Sequence, residues 1–250
     1  MISLETWTSL AIVSTATSLG LALYALKLRA EIAASTSSNK TTIKIATKTI
    51  TRNSDKLWNV EELIAKRRSI FPPSYDCEGC VPREILDKML ESANWAPTHG
   101  RTEPWRFVVF ETHEKRRELG QILANVYKNA VPAEKFLETQ YKKFVANCMT
   151  SSHVIAICMK RQKSGKIPEW EEMCSVACAV QNMHLVATAY NIGAYWSSGS
   201  PITMSQEMKD HLQLSGADKC LGLFYVGVPK ADAKIAKGVR KPIEEKVTWV

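Results

Sequence analysis

Residues 95–110 read Trp-Ala-Pro-Thr-His-Gly-Arg-Thr-Glu-Pro-Trp-Arg-Phe-Val-Val-Phe, a loop with two prolines and a glycine that runs straight into a β-branched and aromatic segment. Proline and glycine end any helical pattern here, and the run from Trp105 to Phe110 has strand composition. Such a loop holds Thr98, His99 and Arg101 at the edge of a pocket with backbone N–H groups free to donate. It reads equally well as a plain proline-rich connection with Trp105 in the core.

Upstream, Leu57, Val60, Leu63 and Ile64 follow helical spacing to Lys66, and Pro82 at a helix start opens a second helix through Ile85, Leu86, Met89, Leu90 and Ala93. Downstream come helical patterns over 113–129 and 133–147 and a buried-type strand at Val154–Met159. Glu171–Asn191 is free of charge from Met173 onward and predicts a central helix buried on most sides. Ala194–Ser198, a helix near 204–213 and a last strand at Leu221–Val228 complete an α+β pattern.

A chain of 250 residues with 45% hydrophobic side chains builds one substantial core. The net charge of +8 is concentrated in residues 27–56, where seven basic side chains face only Glu31 and Asp55. The remainder is too mildly charged for a phosphate-reading surface, so nucleic acid is excluded as a partner. Seven cysteines, an odd number in a full-sized domain, fit a reducing compartment. Cys77 and Cys80 form a C-x-x-C, but no second pair completes a zinc site and no metal is expected. Cys174 and Cys178 lie one helical turn apart and read as buried thiols. The chain lacks a dinucleotide fingerprint, a P-loop, a serine-hydrolase elbow and a zincin motif, which removes those activity classes.

Thr6–Leu26 carries no charge and is about the length a helix needs to span a bilayer. Residues 1–28 are therefore expected to form an N-terminal membrane anchor, with a targeting peptide or peripheral helix as the other readings. Residues 29–56 follow as a flexible basic linker, and 57–250 as the folded domain, placed on the cytoplasmic side by the lysines beyond the anchor.

Arg67-Arg68-Ser69 falls at the end of the first helix, where two guanidiniums and a hydroxyl suit a phosphate and also complement the helix dipole. Gly193–Gly199 offers Ser197 and Ser198 beside Trp196, expected to be exposed, and the tail Val239–Glu245 adds Arg240 in a stretch expected to be loose.

Taken in order, R-R-S, A-P-T-H-x-x-x-x-P-W, the long Ala/Met-rich helix, W-S-S, V-G-x-P and a final R-K-P resemble the nitroreductase-like flavoprotein family over about residues 57–250. The resemblance implies a nitroreductase-like fold with a central mixed sheet surrounded by helices, and a homodimer with FMN at its interface. It implies that Arg67, Arg68, Ser69 and Arg240 grip the FMN phosphate, that Pro97, Thr98 and His99 border the flavin ring, and that Trp196, Ser197 and Ser198 touch it from another side. NADH or NADPH would supply electrons for reduction of small electrophiles such as nitro compounds or quinones. Since the cofactor carries that reaction, no catalytic side chain is nominated. Thr102–Trp105, the closing R-K-P and the N-terminal segment are also similar to the membrane-anchored iodotyrosine deiodinases, which implies reductive dehalogenation of halogenated phenols as an alternative. A non-catalytic, membrane-tethered flavin-binding protein is a third reading. Arg101 and Glu103 depart from the Asn and Gln that many nitroreductases carry there.

Overall fold

A computed structural model describes residues 58–199 and 201–250. Six α-helices are described: α1 (Val60–Lys66), α2 (Arg83–Asn94), α3 (His113–Ala130), α4 (Glu138–Thr150), α5 (Glu169–Ala189) and α6 (Gln206–His211). Four strands, β1 (Trp105–Phe110), β2 (His153–Met159), β3 (Gly193–Ser197) and β4 (Lys219–Gly227), form a sheet in the order β1-β2-β4-β3. Each of the three pairings is antiparallel, a narrower arrangement than the mixed sheet expected from sequence. The α+β class stands.

Local chemistry explains the element starts. Asn59 accepts the Glu61 N–H at the head of α1, Thr112 the Lys115 N–H at the head of α3, and Ser205 the Met208 N–H at the head of α6. Pro82 sits one residue before α2 rather than inside it, where its fixed φ directs the chain into the helix. Gly120 permits close approach of α3 to α4, because an added Cβ would lie 2.9 Å from the Val145 Cα.

β2 is buried along its whole length and sits between β1 and β4. Val154, Ala156 and Cys158 share a cluster with Leu119 and Leu123 of α3 and Cys148 of α4. Strand alternation sends Ile155, Ile157 and Met159 to the other face, where His184 of α5 meets Phe224 edge-on with centroids 5.4 Å apart. Helices thus cover both faces, and each buried aliphatic residue of the central strands contributes roughly 1.5–3 kcal/mol.

α5 departs from its expected burial. Trp170, Met173, Cys174 and Cys178 form an exposed stripe at helical spacing, while Glu172, Val176, Ala179, Val180 and Met183 face inward. The expectation of buried Cys174 and Cys178 is corrected accordingly.

The expected membrane localisation is also corrected. Among the described residues no helix is long and apolar enough to cross a membrane. The longest, α5, opens with Glu169, Glu171 and Glu172 and buries His184. The segment Thr6–Leu26 and the linker fall outside the described residues.

β3 and β4 meet across Gly222, whose φ of +131° and lack of a side chain let the Ser197 carbonyl come close. A Cβ there would lie 2.3 Å from that oxygen. Gly222→Ala is therefore expected to lose about 2–4 kcal/mol, measured by denaturant unfolding, with the β3 end displaced.

Candidate functional site

The Arg67-Arg68-Ser69 turn is fixed from several directions. His184, buried in the penultimate turn of α5, donates from Nε2 to the Arg68 carbonyl at 3.0 Å. Ile70 N–H donates to the Ala194 carbonyl of β3 at 3.0 Å, and the Tyr75 hydroxyl donates to the Ile70 carbonyl at 2.6 Å. Tyr75 is itself seated on Gly193 and Gly227, where any Cβ would enter its ring. The Arg68 guanidinium turns back to the Ala65 and Arg67 carbonyls, both at 2.6 Å, and Gly238 of the tail lies flat against it.

This arrangement gathers charge of one sign. Burial, then Arg240, then Arg68 lower the pKa of Arg67 from its ordinary value, so Arg240 and Arg68 are each within electrostatic reach of Arg67. Among the described residues no carboxylate forms an ion pair with any of them. Ser69 and Arg240 are exposed. A dianion would relieve the repulsion, which is what a phosphate offers.

The Pro97-Thr98-His99 loop is built at the other end of α5. His99 Nδ1 lies 2.6 Å from the Glu171 carboxylate in the first turn of that helix. The Thr98 hydroxyl meets Thr102 Oγ1 at 3.0 Å and accepts the Glu103 N–H. Gly100, Arg101 and Glu103 all have positive φ, a strained arrangement that holds Pro97 and His99 outward. Below the loop, buried Glu172 pairs with Arg161, whose backbone N–H is taken by Asp218.

At the end of β3, Trp196 is half-buried, not exposed as expected, and its indole N–H donates to the Leu221 carbonyl at 3.1 Å. Ser197 is half-buried and pairs with Leu223, and Ser198 is exposed. Among the described residues no hydrogen bond or ion pair links the Thr98 loop to the arginine cluster. From Glu171 to His184 the helix rises about 20 Å, so α5 carries the two groups at its two ends. Tyr127 and Tyr141, the tyrosines between residues 111 and 147, both have engaged hydroxyls: Tyr127 accepts the Leu137 N–H, and Tyr141 bonds Asn125 and Gln121.

The family model described as the nitroreductase family matches residues 64–228. The chain belongs to the nitroreductase family. A protein of Escherichia coli (strain K12), provisionally named NAD(P)H nitroreductase YdjA, is 28% identical over 186 residues, covering 72% of this chain and 94% of that protein. Human iodotyrosine deiodinase 1 is 26% identical over 200 residues, 74% of this chain and 66% of its own length. Among solved structures, a nitroreductase with bound FMN from Bacteroides fragilis NCTC 9343 aligns at a TM-score of 0.62 with 23% identity, over 78% of this chain and all of the other. A nitroreductase-like family protein from Bacillus cereus aligns at 0.64 with 22% identity, over 78% and 97%.

For this nitroreductase family member, two supports of the R-R-S turn were not visible beforehand. His184 sits in an apolar helix, where a single histidine reads as core, and Gly238 lies in a tail with no periodicity. Burial, then Arg67, push the His184 pKa down to about 4 from 6.5, against the raising effect of its hydrogen bonds to the backbone of Arg68 and Ala194. The ring is neutral at pH 7. The unfolded chain takes up a proton below pH 6.5 that the folded chain refuses, so this contribution, about 3 kcal/mol, is complete above pH 6.5 and is lost as pH falls toward 4. Buried His153, also lowered, adds to the same slope. His184→Phe is expected to cost about 1–3 kcal/mol at pH 7 by leaving the Arg68 carbonyl unpaired, and to flatten the slope, as read from thermal unfolding between pH 7 and 4.

Proposed function

We propose that this chain is an FMN-dependent NAD(P)H oxidoreductase that reduces small electrophiles of the nitro or quinone type. The observation that carries this reading is the cluster of Arg67, Arg68 and Arg240, which has no carboxylate partner among the described residues. Arg67, Arg240 and the Ser69 hydroxyl would hold the FMN phosphate, while Arg68, braced by Gly238 and its own helix carbonyls, contributes a fixed charge. FMN, when bound, supplies a ring that accepts two electrons from a nicotinamide and passes them to the electrophile.

The remaining residues orient and screen. Thr98 and His99 present their backbone at the loop edge, with His99 held by Glu171, and Trp196–Ser198 form the second border. The Thr98 loop and the arginine cluster lie at opposite ends of α5. This supports a site completed by a second copy of the chain, and so a homodimer. The exposed Trp170, Met173, Cys174 and Cys178 stripe and the neighbouring Trp95, 79% exposed, provide an apolar face for such pairing. The engagement of both tyrosine hydroxyls between α3 and α4 favours nitro compounds or quinones over halogenated phenols as substrates.

Purified full-length protein is expected to take up FMN, showing flavin absorption that bleaches anaerobically on addition of NADH or NADPH and returns with a nitroaromatic or quinone. Bound flavin that neither donor bleaches would remove the oxidoreductase reading.

A further inference from the structure

A cavity of about 390 Å³ opens at the end of the sheet remote from the Thr98 loop. It lies where β1 finishes at Phe110 and β2 begins at His153, about 20 Å along the β1–β2 pair from Trp105. Both cysteines of the C-x-x-C, Cys77 and Cys80, line it and are free thiols. The volume suits a small molecule.

The turn that carries them is rigid. Asp76 accepts the Gly79 N–H on its carbonyl at 3.0 Å and the Glu78 N–H on its carboxylate at 3.1 Å, and its own N–H is bound to the Val228 carbonyl at the end of β4. Gly79 lies against Val228, where a Cβ would approach to 2.7 Å. The two sulfurs meet different surroundings. Cys77 Sγ faces the Glu78 carboxylate at 4.0 Å. Cys80 Sγ lies 4.0 Å from the Ser152 hydroxyl, which accepts the Val81 N–H at 2.8 Å and therefore has its own proton to donate. That hydroxyl also sits 3.0 Å from Nδ1 of buried His153.

Arg116 supplies the charge. Its Nη1 donates to the carbonyls of Ser151 and Ser152, and no carboxylate pairs with it among the described residues, while Cys80 and Cys148 lie within its electrostatic reach. Thiolates are the reactive form of cysteine, and Cys80 is the sulfur that has both a hydroxyl and a guanidinium near it.

We propose that Cys77 and Cys80 form a dithiol centre for exchange with small disulfides of peptide size, with Cys80 as the attacking sulfur and Cys77 as the resolving one. The Cys80 thiolate attacks one sulfur of a disulfide RSSR, forming a Cys80–S–S–R bond and releasing one RS⁻, which is protonated. The Cys77 thiolate then attacks the Cys80 sulfur, closes a Cys77–Cys80 disulfide and releases the second RS⁻. The protein dithiol is oxidised by two electrons, the small disulfide is reduced to two thiols, and the two thiol protons leave with them. The centre uses none of the residues assigned to the flavin.

The test is exposure of the full-length protein to oxidised glutathione, followed by alkylation and peptide mass spectrometry. Wild type is expected to gain a Cys77–Cys80 disulfide. Cys77→Ser is expected to stop at a mixed disulfide on Cys80, formed about tenfold or more faster than any adduct on Cys77 in Cys80→Ser. Ser152→Ala should slow the Cys80 adduct while leaving the Cys77 adduct in Cys80→Ser unchanged. Equal rates at the two cysteines, faster reaction at Cys77, or absence of the internal disulfide in wild type would overturn the proposal. FMN binding is measured on the same samples, so loss of one activity is told apart from loss of the other.

Discussion

The hydrogen bond from His184 Nε2 to the Arg68 carbonyl is the constraint around which the arginine turn is arranged. α1 ends at Lys66 and its Ala65 carbonyl is taken by the Arg68 guanidinium, but the Arg68 carbonyl lies beyond the helix, so pairing it falls to another element. α5 performs that task from the core. Its histidine has to be neutral and desolvated to serve, and burial together with the nearby Arg67 keeps it so. Arg67 is half-buried and within electrostatic reach of Arg240 and Arg68, so positive charge gathers at the turn.

Tyr75 and the glycines beneath it extend this logic to the sheet. The Tyr75 hydroxyl joins the Ile70 carbonyl to that of Tyr225, which ties the segment after Ser69 to β4. Gly193 and Gly227 face one another across β3 and β4 and leave the space its ring fills. At the other end of the same helix, Glu171 orients His99 above a loop with several residues at positive φ. A single long helix therefore sets the distance between the cationic turn and the strained loop.

Much of this was legible in the sequence, for identifiable reasons. The β-branched runs at 105–110 and 154–159 marked the strands, and R-R-S at a helix end marked the cationic turn. The stripe of Trp170, Met173, Cys174 and Cys178 was not legible, because a helix apolar on all sides gives no sign of which face stays open. Gly238 contributes by the absence of a side chain beside Arg68, a packing fact that no pattern encodes. Arg101 and Glu103, the positions that depart from the family's Asn and Gln, have φ of 54° and 42°. Asn adopts that region at lower cost than Arg, so the departure at 101 carries backbone strain as well as a change of charge.

On the function proposed above, the arginine turn recognises a phosphate. The most direct measurement is the affinity of the full-length protein for FMN against riboflavin, which differ by that group alone, in wild type and in Arg67→Ala. Wild type is expected to bind FMN about tenfold or more tightly than riboflavin, and Arg67→Ala to remove most of the difference. Equal affinity for the two flavins in wild type, or an unchanged preference in Arg67→Ala, would contradict it.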